Sequence, residues 1–405
     1  MQIRHFRIHS FAISDPPLRS SFGLHAPLAL RTVIELESAD GVIGIAETHG
    51  GSGPAETLES LRPQVIGQDA SQLMASLTAL RSQSKYRTAL SALEVAALDL
   101  VGKTVGLPVH ALLGGKVREE VPFSAYAFYK HAWGESKYGE ALTPEGLVTQ
   151  VQELIADYGF GSVKLKAGVL EPDQEIETIR LLRQTLGPTV PLRIDPNCVW
   201  SVATSVRVGK ALQAELSDGG YLEDPAEGMA DMAAVRAGLL AEGIDMPLAS
   251  NMAVVSFETL AEAHKTDACQ VVLGDHHYWG GLRAVAALGR VCETLGVGLS
   301  MHSNSHLGVS LMAMAHVAAA TPQLSYACDT HYPWQSADEE IVAEGRIPIV
   351  GGNVRVSDAP GLGVTLNYDT LARLKERYEA SPIRARDDVA EMHQHVDPHW
   401  QRRRW

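Results

Sequence analysis

"SVKLKAG", residues 162–168, sets two lysines, Lys164 and Lys166, inside what otherwise reads as a buried strand. Successive strand side chains point to opposite faces, so the two ammonium groups share one face while Val163, Leu165 and Ala167 take the other. Burying two like charges side by side is costly unless anions or a function compensate. An edge strand with solvated lysines is the plain alternative for an isolated KxK, and the sequence on either side decides between them.

Working outward, this stretch is the second of eight short β-like runs. The series is "VPFSAYAFY" (121–129), "SVKLKAG", "PLRIDPN" (191–197), "GYLEDPA" (220–226), "MPLASNM" (246–252), "CQVVLGD" (269–275), "GVGLSMHSN" (296–304) and "LSYACDT" (324–330). Helical patterns are predicted between them at 143–158, 172–186, 201–216, 229–242, 256–265, 281–295 and 307–320. The first of these helices has Thr143 as its N-cap and Pro144 at its first position. Eight strands alternating with helices either close as a TIM-type barrel or lie open as a doubly wound sheet. The count, and the polar residue ending almost every run, favour the barrel.

The segment before this series reads as α+β. "RTVIELESADGVIGIAET" (31–48) is two strands joined by a turn at 39–41, followed by helical patterns at 55–66, 70–82 and 86–105. After residue 351 the repeat stops, and a tail with one helical stretch near 369–379 runs on. The expected division is 1–118, 119–350 and 351–405.

Composition narrows the class of function. A formal net charge of −14 argues against a general nucleic-acid or anionic-membrane surface. The four cysteines form no CxxC pair, which indicates neither a disulfide framework nor a zinc knuckle. With no signal-like N-terminus and no run of membrane-span length, a cytoplasmic protein is expected.

The strand ends carry Lys166, Asp195, Glu223, Asn251, Asp275 and His302, at intervals of 24 to 29 residues. Each interval is one strand-loop-helix unit, so in a closed barrel all six converge on one mouth. Asp195, Glu223 and Asn251 form the hard oxygen set that Mg²⁺ prefers, where zinc would want histidine or thiolate. Asp275 and His302 can pair, the carboxylate orienting the ring. Lys164 then neutralises a substrate anion, and its charge together with the metal lowers the pKa of Lys166 until it can act as a base.

Taken together, "KLK", "DPN", "YLEDP", "ASNM", "GDHHYW" and "MHSNSHLGVSLMAMAHVAAA" resemble the enolase superfamily, specifically its glucarate dehydratase family. The likeness runs from "GLHAPLALR" (23–31) to "ARDDVAEMH" (385–393) and is most specific in the barrel series. It implies a modified TIM barrel under an N-terminal α+β capping domain that the C-terminal tail completes. It further implies Asp195, Glu223 and Asn251 as Mg²⁺ ligands, Lys166 as the base on one substrate face, and His302 with Asp275 as the acid/base pair on the other. Lys164, Asn197, Ser303 and Asn304 fall on positions that touch the substrate or organise the site, and His25, Tyr126 and Arg386 on substrate contacts from the cap, first strand and tail.

The implied activity is dehydration of an acid sugar, with D-glucarate first and galactarate or an aldonate as alternatives. A racemase or epimerase on the same fold is the nearest rival, and a non-catalytic binding protein the more distant one. A homo-oligomer is expected. The sequence departs from the family at His276, where a proline is expected, and in a shortened stretch at 129–142.

Several residues have plainer readings. His316 sits in an Ala/Met-rich helix and reads as core. Asp224 is expected to brace its loop rather than touch metal. His276 and His277 read as exposed rim residues, and Arg386 could equally pair with Asp387 or Asp388 and only dock the tail.

Overall fold

A computed structural model describes residues 1–133 and 137–405; part of the shortened 129–142 stretch therefore lies outside the described residues. The N-terminal alternation becomes an antiparallel sheet of β1 (Ile3–Ser14), β2 (Leu28–Ser38) and β3 (Ile43–His49), in the order β1-β2-β3. Helix α1 (Arg87–Val105) packs across it at very short range. Gly44 makes that approach possible: a Cβ there would stand 2.2 Å from the Ala96 carbonyl oxygen. Asp99, buried on α1, accepts from the backbone amides of Ile45 (2.8 Å) and Leu362 (2.7 Å), tying sheet, helix and C-terminal segment together.

The helix expected at 70–82 is instead two isolated turns, Leu73–Ser76 and Thr78–Leu80. Polar side chains there compete for the backbone and its neighbours: the Ser76 hydroxyl bonds the Gln72 carbonyl and the Thr78 hydroxyl the Met74 carbonyl.

The central series forms one parallel sheet in sequential order: β4 (Ala125–Phe128), β5 (Val163–Lys166), β6 (Leu192–Asp195), β7 (Tyr221–Glu223), β8 (Leu248–Ser250), β9 (Val271–Gly274) and β10 (Gly298–Met301). Three of the helices between them begin at side-chain caps, with Thr143, Ser201 and Ser256 each accepting an amide hydrogen of the first turn. The eighth run is not a regular strand. The amides of Ser325 and Tyr326 both donate to the Leu299 carbonyl, at 3.0 and 3.1 Å, and this extra residue breaks the ladder. Cys328 then donates to Pro122 (2.8 Å), and Ser124 returns a bond to Cys328 (2.8 Å). The run thus touches β10 on one side and the entry to β4 on the other, closing the ring through single bridges.

Beyond the barrel, Asn353–Arg355 pairs with Glu120–Pro122 and the helix Tyr368–Ala380 packs on β1. A further helix, Asp388–His395, not foreseen in the sequence, seats against Gly23–Leu24. Gly23 has φ 136°, and a Cβ there would lie 2.2 Å from the Asp388 carbonyl oxygen. All four cysteines are free and buried. Among the described residues no helix is long and apolar enough to cross a membrane. His316 is core, accepting the His110 amide on Nδ1 and facing the Leu362 carbonyl with Nε2.

Candidate active site

Parallel register brings the strand-end residues level. Lys166 is paired with Asp195 across β5 and β6, and Glu223 lies one residue past the Leu222–Ile194 pair of β7 and β6. Above them is a cavity of about 580 Å³ between barrel mouth, cap and tail. His25, Tyr126, Lys166, Asn197, Asn251, His302, Asn304 and Arg386 line it, from seven separate stretches of the chain. Lys164, Asp195, Glu223, Asp275 and Ser303 lie beneath or behind that lining, all of them buried.

The two lysines that opened the question are both answered by anions. Lys164, with no exposed surface, sits 2.6 Å from Glu223 and 2.6 Å from Asp329; Lys166 donates to Asp195 at 2.6 Å. Both ammonium groups also lie over the Tyr126 ring, at 4.8 and 5.7 Å. Burial pushes the carboxyl of Asp195 up, but Lys166 and Lys164 outweigh it and hold it below its usual range. Glu223 is driven well above the ordinary carboxylate value by burial and by the neighbouring carboxylates Asp195 and Asp329.

This cluster is two cations facing three carboxylates. Lys164 meets Glu223 at ion-pair distance but without hydrogen-bond alignment, and among the described residues neither Glu223 carboxylate oxygen nor Asn251 Oδ1, all of them buried, has a hydrogen-bond partner. Such atoms are expensive to leave alone. A deficit of positive charge together with unpartnered oxygens at three neighbouring strand ends fits a hard divalent cation. The residues that would hold it are Asp195, Glu223 and Asn251. Asp224 braces the last of them, as expected: its carboxylate accepts from Ser250 Oγ (2.6 Å) and from the Asn251 and Met252 amides (2.8 and 3.1 Å). Asn197, at φ 51°, turns back so that its amide and Nδ2 both donate to Asp195 Oδ1 at 3.0 Å.

On the seventh strand's end, His302 Nδ1 bonds Asp275 Oδ2 at 2.8 Å, which leaves Nε2 for the cavity. Burial raises the Asp275 carboxyl, yet His277 and His302 hold it well below its usual range. Ser303 does not line the cavity; its hydroxyl accepts the His331 amide at 3.1 Å and so places the His331 ring there. His25 and His331 stack at 6.2 Å, both kept neutral by burial, and His25 Nδ1 has no hydrogen-bond partner among the described residues. Arg386 takes the plainer of its two readings in part. Nε and Nη2 grip Asp388 at 2.5 and 2.6 Å, although the side chain still borders the cavity.

One expectation is corrected. His276 and His277 are not rim residues: both are buried in the single helical turn His276–Trp279, under the cap. Asp329 and His331 were not singled out, although Asp329 ends the eighth run 27 residues beyond His302, in step with the other strand ends.

The N-terminal unit matches the mandelate racemase/muconate lactonizing enzyme N-terminal domain over residues 8–114, and the barrel matches the enolase C-terminal domain-like family over 146–370. A probable glucarate dehydratase of Streptomyces coelicolor is 45% identical, covering 96% of this chain and 94% of that one. An enolase of Thermobispora bispora solved with magnesium and formate is 44% identical at a TM-score of 0.93, covering 100% of this chain and 99% of that one. An enolase of Pseudomonas fluorescens solved with magnesium, potassium and tartrate is 42% identical at 0.93, covering 100% and 98%. Cap and barrel are thus shared over nearly the whole length, and the chain belongs to the enolase superfamily, in its mandelate racemase/muconate lactonizing enzyme branch.

Proposed function

We propose that the protein is a magnesium-dependent hydro-lyase that dehydrates acid sugars, with D-glucarate its first substrate and 5-keto-4-deoxyglucarate the product. The observation that carries this reading is the pairing, around one cavity, of an amine on the second strand with a carboxylate-braced imidazole on the seventh, above an oxygen-ligand set. Proteins similar along the whole length support it, one a probable glucarate dehydratase and others solved with magnesium.

The proton beside a carboxylate is far too weakly acidic for an amine unless the charge that develops is stabilised in place. Magnesium supplies that stabilisation when bound, as in the enolase-superfamily pattern of a Lys or His base. Lys166 or His302, according to the substrate epimer, removes the α-proton. Lys164 holds the floor's carboxylates and keeps a positive charge beside Lys166. Asp275 fixes the His302 tautomer so that Nε2 faces the substrate, and His302 as imidazolium gives its proton to the departing β-hydroxyl. Tyr126, Asn197 and Asn304 border the sugar chain. For the far carboxylate, the candidates are His25 and the Nη1 of Arg386, which carries no bond among the described residues. The homo-oligomer belongs to the same reading and is checked by sedimentation.

A screen of sugar diacids and aldonates for 2-keto acid formation, with magnesium present and after chelation, tests the reading. Dehydration of glucarate that stops on chelation and returns with magnesium is expected. Epimerisation without 2-keto acid would make the protein an epimerase. Arg386→Met should lower kcat/KM for glucarate about tenfold more than for gluconate. Equal loss for both would remove Arg386 from the diacid reading.

A further inference from the structure

Asp275 is bonded on both sides. Its Oδ2 takes His302 Nδ1, while Oδ1 takes His277 Nδ1 at 2.9 Å and the His277 amide at 2.8 Å. A carboxylate only accepts, so both histidines present Nδ1–H to it and each keeps Nε2 for another partner. For His302 that is the cavity. For His277 it is the pair Glu47 carbonyl and Ser310 hydroxyl, both 3.3 Å away, one on the cap strand β3 and the other on the helix Gly308–Ala319. A neutral His277 accepts from Ser310; a protonated one donates to the Glu47 carbonyl. Partners for both states are in place.

The groups around His277 leave Asp275 as the one that answers its charge. On the cap, the Arg31 guanidinium and Glu47 carboxylate are locked together at 2.9 Å with both side chains buried. The His49 ring, 5.0 Å from that of His277, is kept neutral by burial, and so is His276 at 3.9 Å. From the loop after β10, His306 is pushed down to about 4 by burial, and His302 lies on the other side of the carboxylate. Asp275, His276 and His277 offer donor atoms within 4.8 Å of one another. With Oδ1 already holding two N–H donors and an N–H on His277 Nδ1, the trio is read as a hydrogen-bonded chain rather than a metal site.

We propose that His277 is a positioning residue, the third member of a chain His302–Asp275–His277 through which the cap and the Gly308–Ala319 helix set the aim and basicity of the His302 ring. It rests on the reading of His302 as the acid/base group of the proposed reaction. A proton on His277 draws negative charge from Asp275 and makes His302 a weaker base; a neutral His277 leaves Asp275 free to favour the imidazolium.

The test follows the His302 ring by ¹⁵N-histidine NMR through a pH titration of the full magnesium-loaded chain without substrate. In His277→Ala the His302 ionisation should move up by about one unit, a tenfold change in its constant, because Asp275 has lost a donor. In His277→Asn, whose amide can still donate to Oδ1, most of that shift should vanish. Ser310→Ala, a small change outside the chain itself, removes the partner of neutral His277 and should move His302 down by a few tenths. The pH limb of kcat/KM should follow the same order. An unmoved His302 in Ser310→Ala, or equal shifts in His277→Ala and His277→Asn, would overturn the proposal and leave His277 as packing. The titration needs no turnover, so it stands apart from whether wild-type protein dehydrates glucarate.

Discussion

The lysine half and the histidine half of the cavity are built in opposite ways. Lys164 and Lys166 are answered by Asp195, Glu223 and Asp329, all of them at barrel strand ends. That half is complete within the barrel. The histidine half leans on the cap: behind Asp275 and His277 stands Glu47, whose carboxylate takes the Leu307 and Ser310 amides at 2.9 and 3.0 Å and the Arg31 guanidinium at 2.9 Å. The lesson is that the barrel alone makes the charge cluster, whereas the ring that would finish an elimination is aimed by two domains at once.

The strongest way to break this comparison is to remove a floor oxygen, which should disable both halves together. Glu223→Gln is expected to lower turnover of either substrate epimer by about 10³-fold or more and to weaken magnesium binding in calorimetry. Retained binding would take Glu223 out of the ligand set. Next in size, the halves should separate by substrate face. Lys166→Ala should stop α-proton exchange in D₂O from one epimer by about 10²–10⁴-fold while sparing the other, and His302→Asn should do the reverse and also abolish dehydration. Equal losses in both variants would show that the two groups do not serve opposite faces.

A smaller effect should sharpen the role of the cap. Arg31→Met leaves Glu47 charged and buried, a change expected to cost about 3–5 kcal/mol in denaturant unfolding. Among molecules still folded, dehydration should fall more than exchange on the Lys166 side. A matched fall would mean that the cap supports both halves.

The smallest effect concerns Asp15, which lies at the cap end of the same support and accepts from Ser305 Oγ at 3.2 Å. Burial pushes its carboxyl up to about 7, against the pull of Arg386. A carboxyl whose folded value is raised takes up protons more readily than the unfolded chain. Its contribution to stability is therefore full below the ordinary carboxylate range and is lost as pH rises through about 7. Asp15→Asn, which does not titrate, should gain about 1–3 kcal/mol relative to wild type between pH 5 and 8, read as a change in the Tm difference. A constant difference would mean that Asp15 ionises normally.

What could be read from the sequence follows the same divide. The lysine half was legible because strand ends recur once per strand-loop-helix unit, and Asp195, Glu223 and Asn251 keep that interval. Asp329 keeps it too, at the end of the eighth run, and its role shows only in the structure, where it faces Lys164. The support of the histidine half was not legible. His277 follows a strand end like any loop residue, and its contact on the cap, the Glu47 carbonyl, lies 230 residues away along the chain. Arg386 shows a third case: its partner Asp388 is two residues off and was among the alternatives, but geometry alone decides between them.

The barrel's last run gives the ring a latch. Ser325 and Tyr326 share one carbonyl, Cys328 exchanges two bonds with the entry to β4 and Asp329 donates to Met301, so the run is held by separate bridges rather than by a continuous ladder. Asp329 rides on that latch and is one of the two carboxylates nearest Lys164. Opening the ring there takes one of the two closest carboxylates from a buried ammonium at the same moment, which makes a half-open barrel with an intact floor an unfavourable species and couples closure of the ring to assembly of the site.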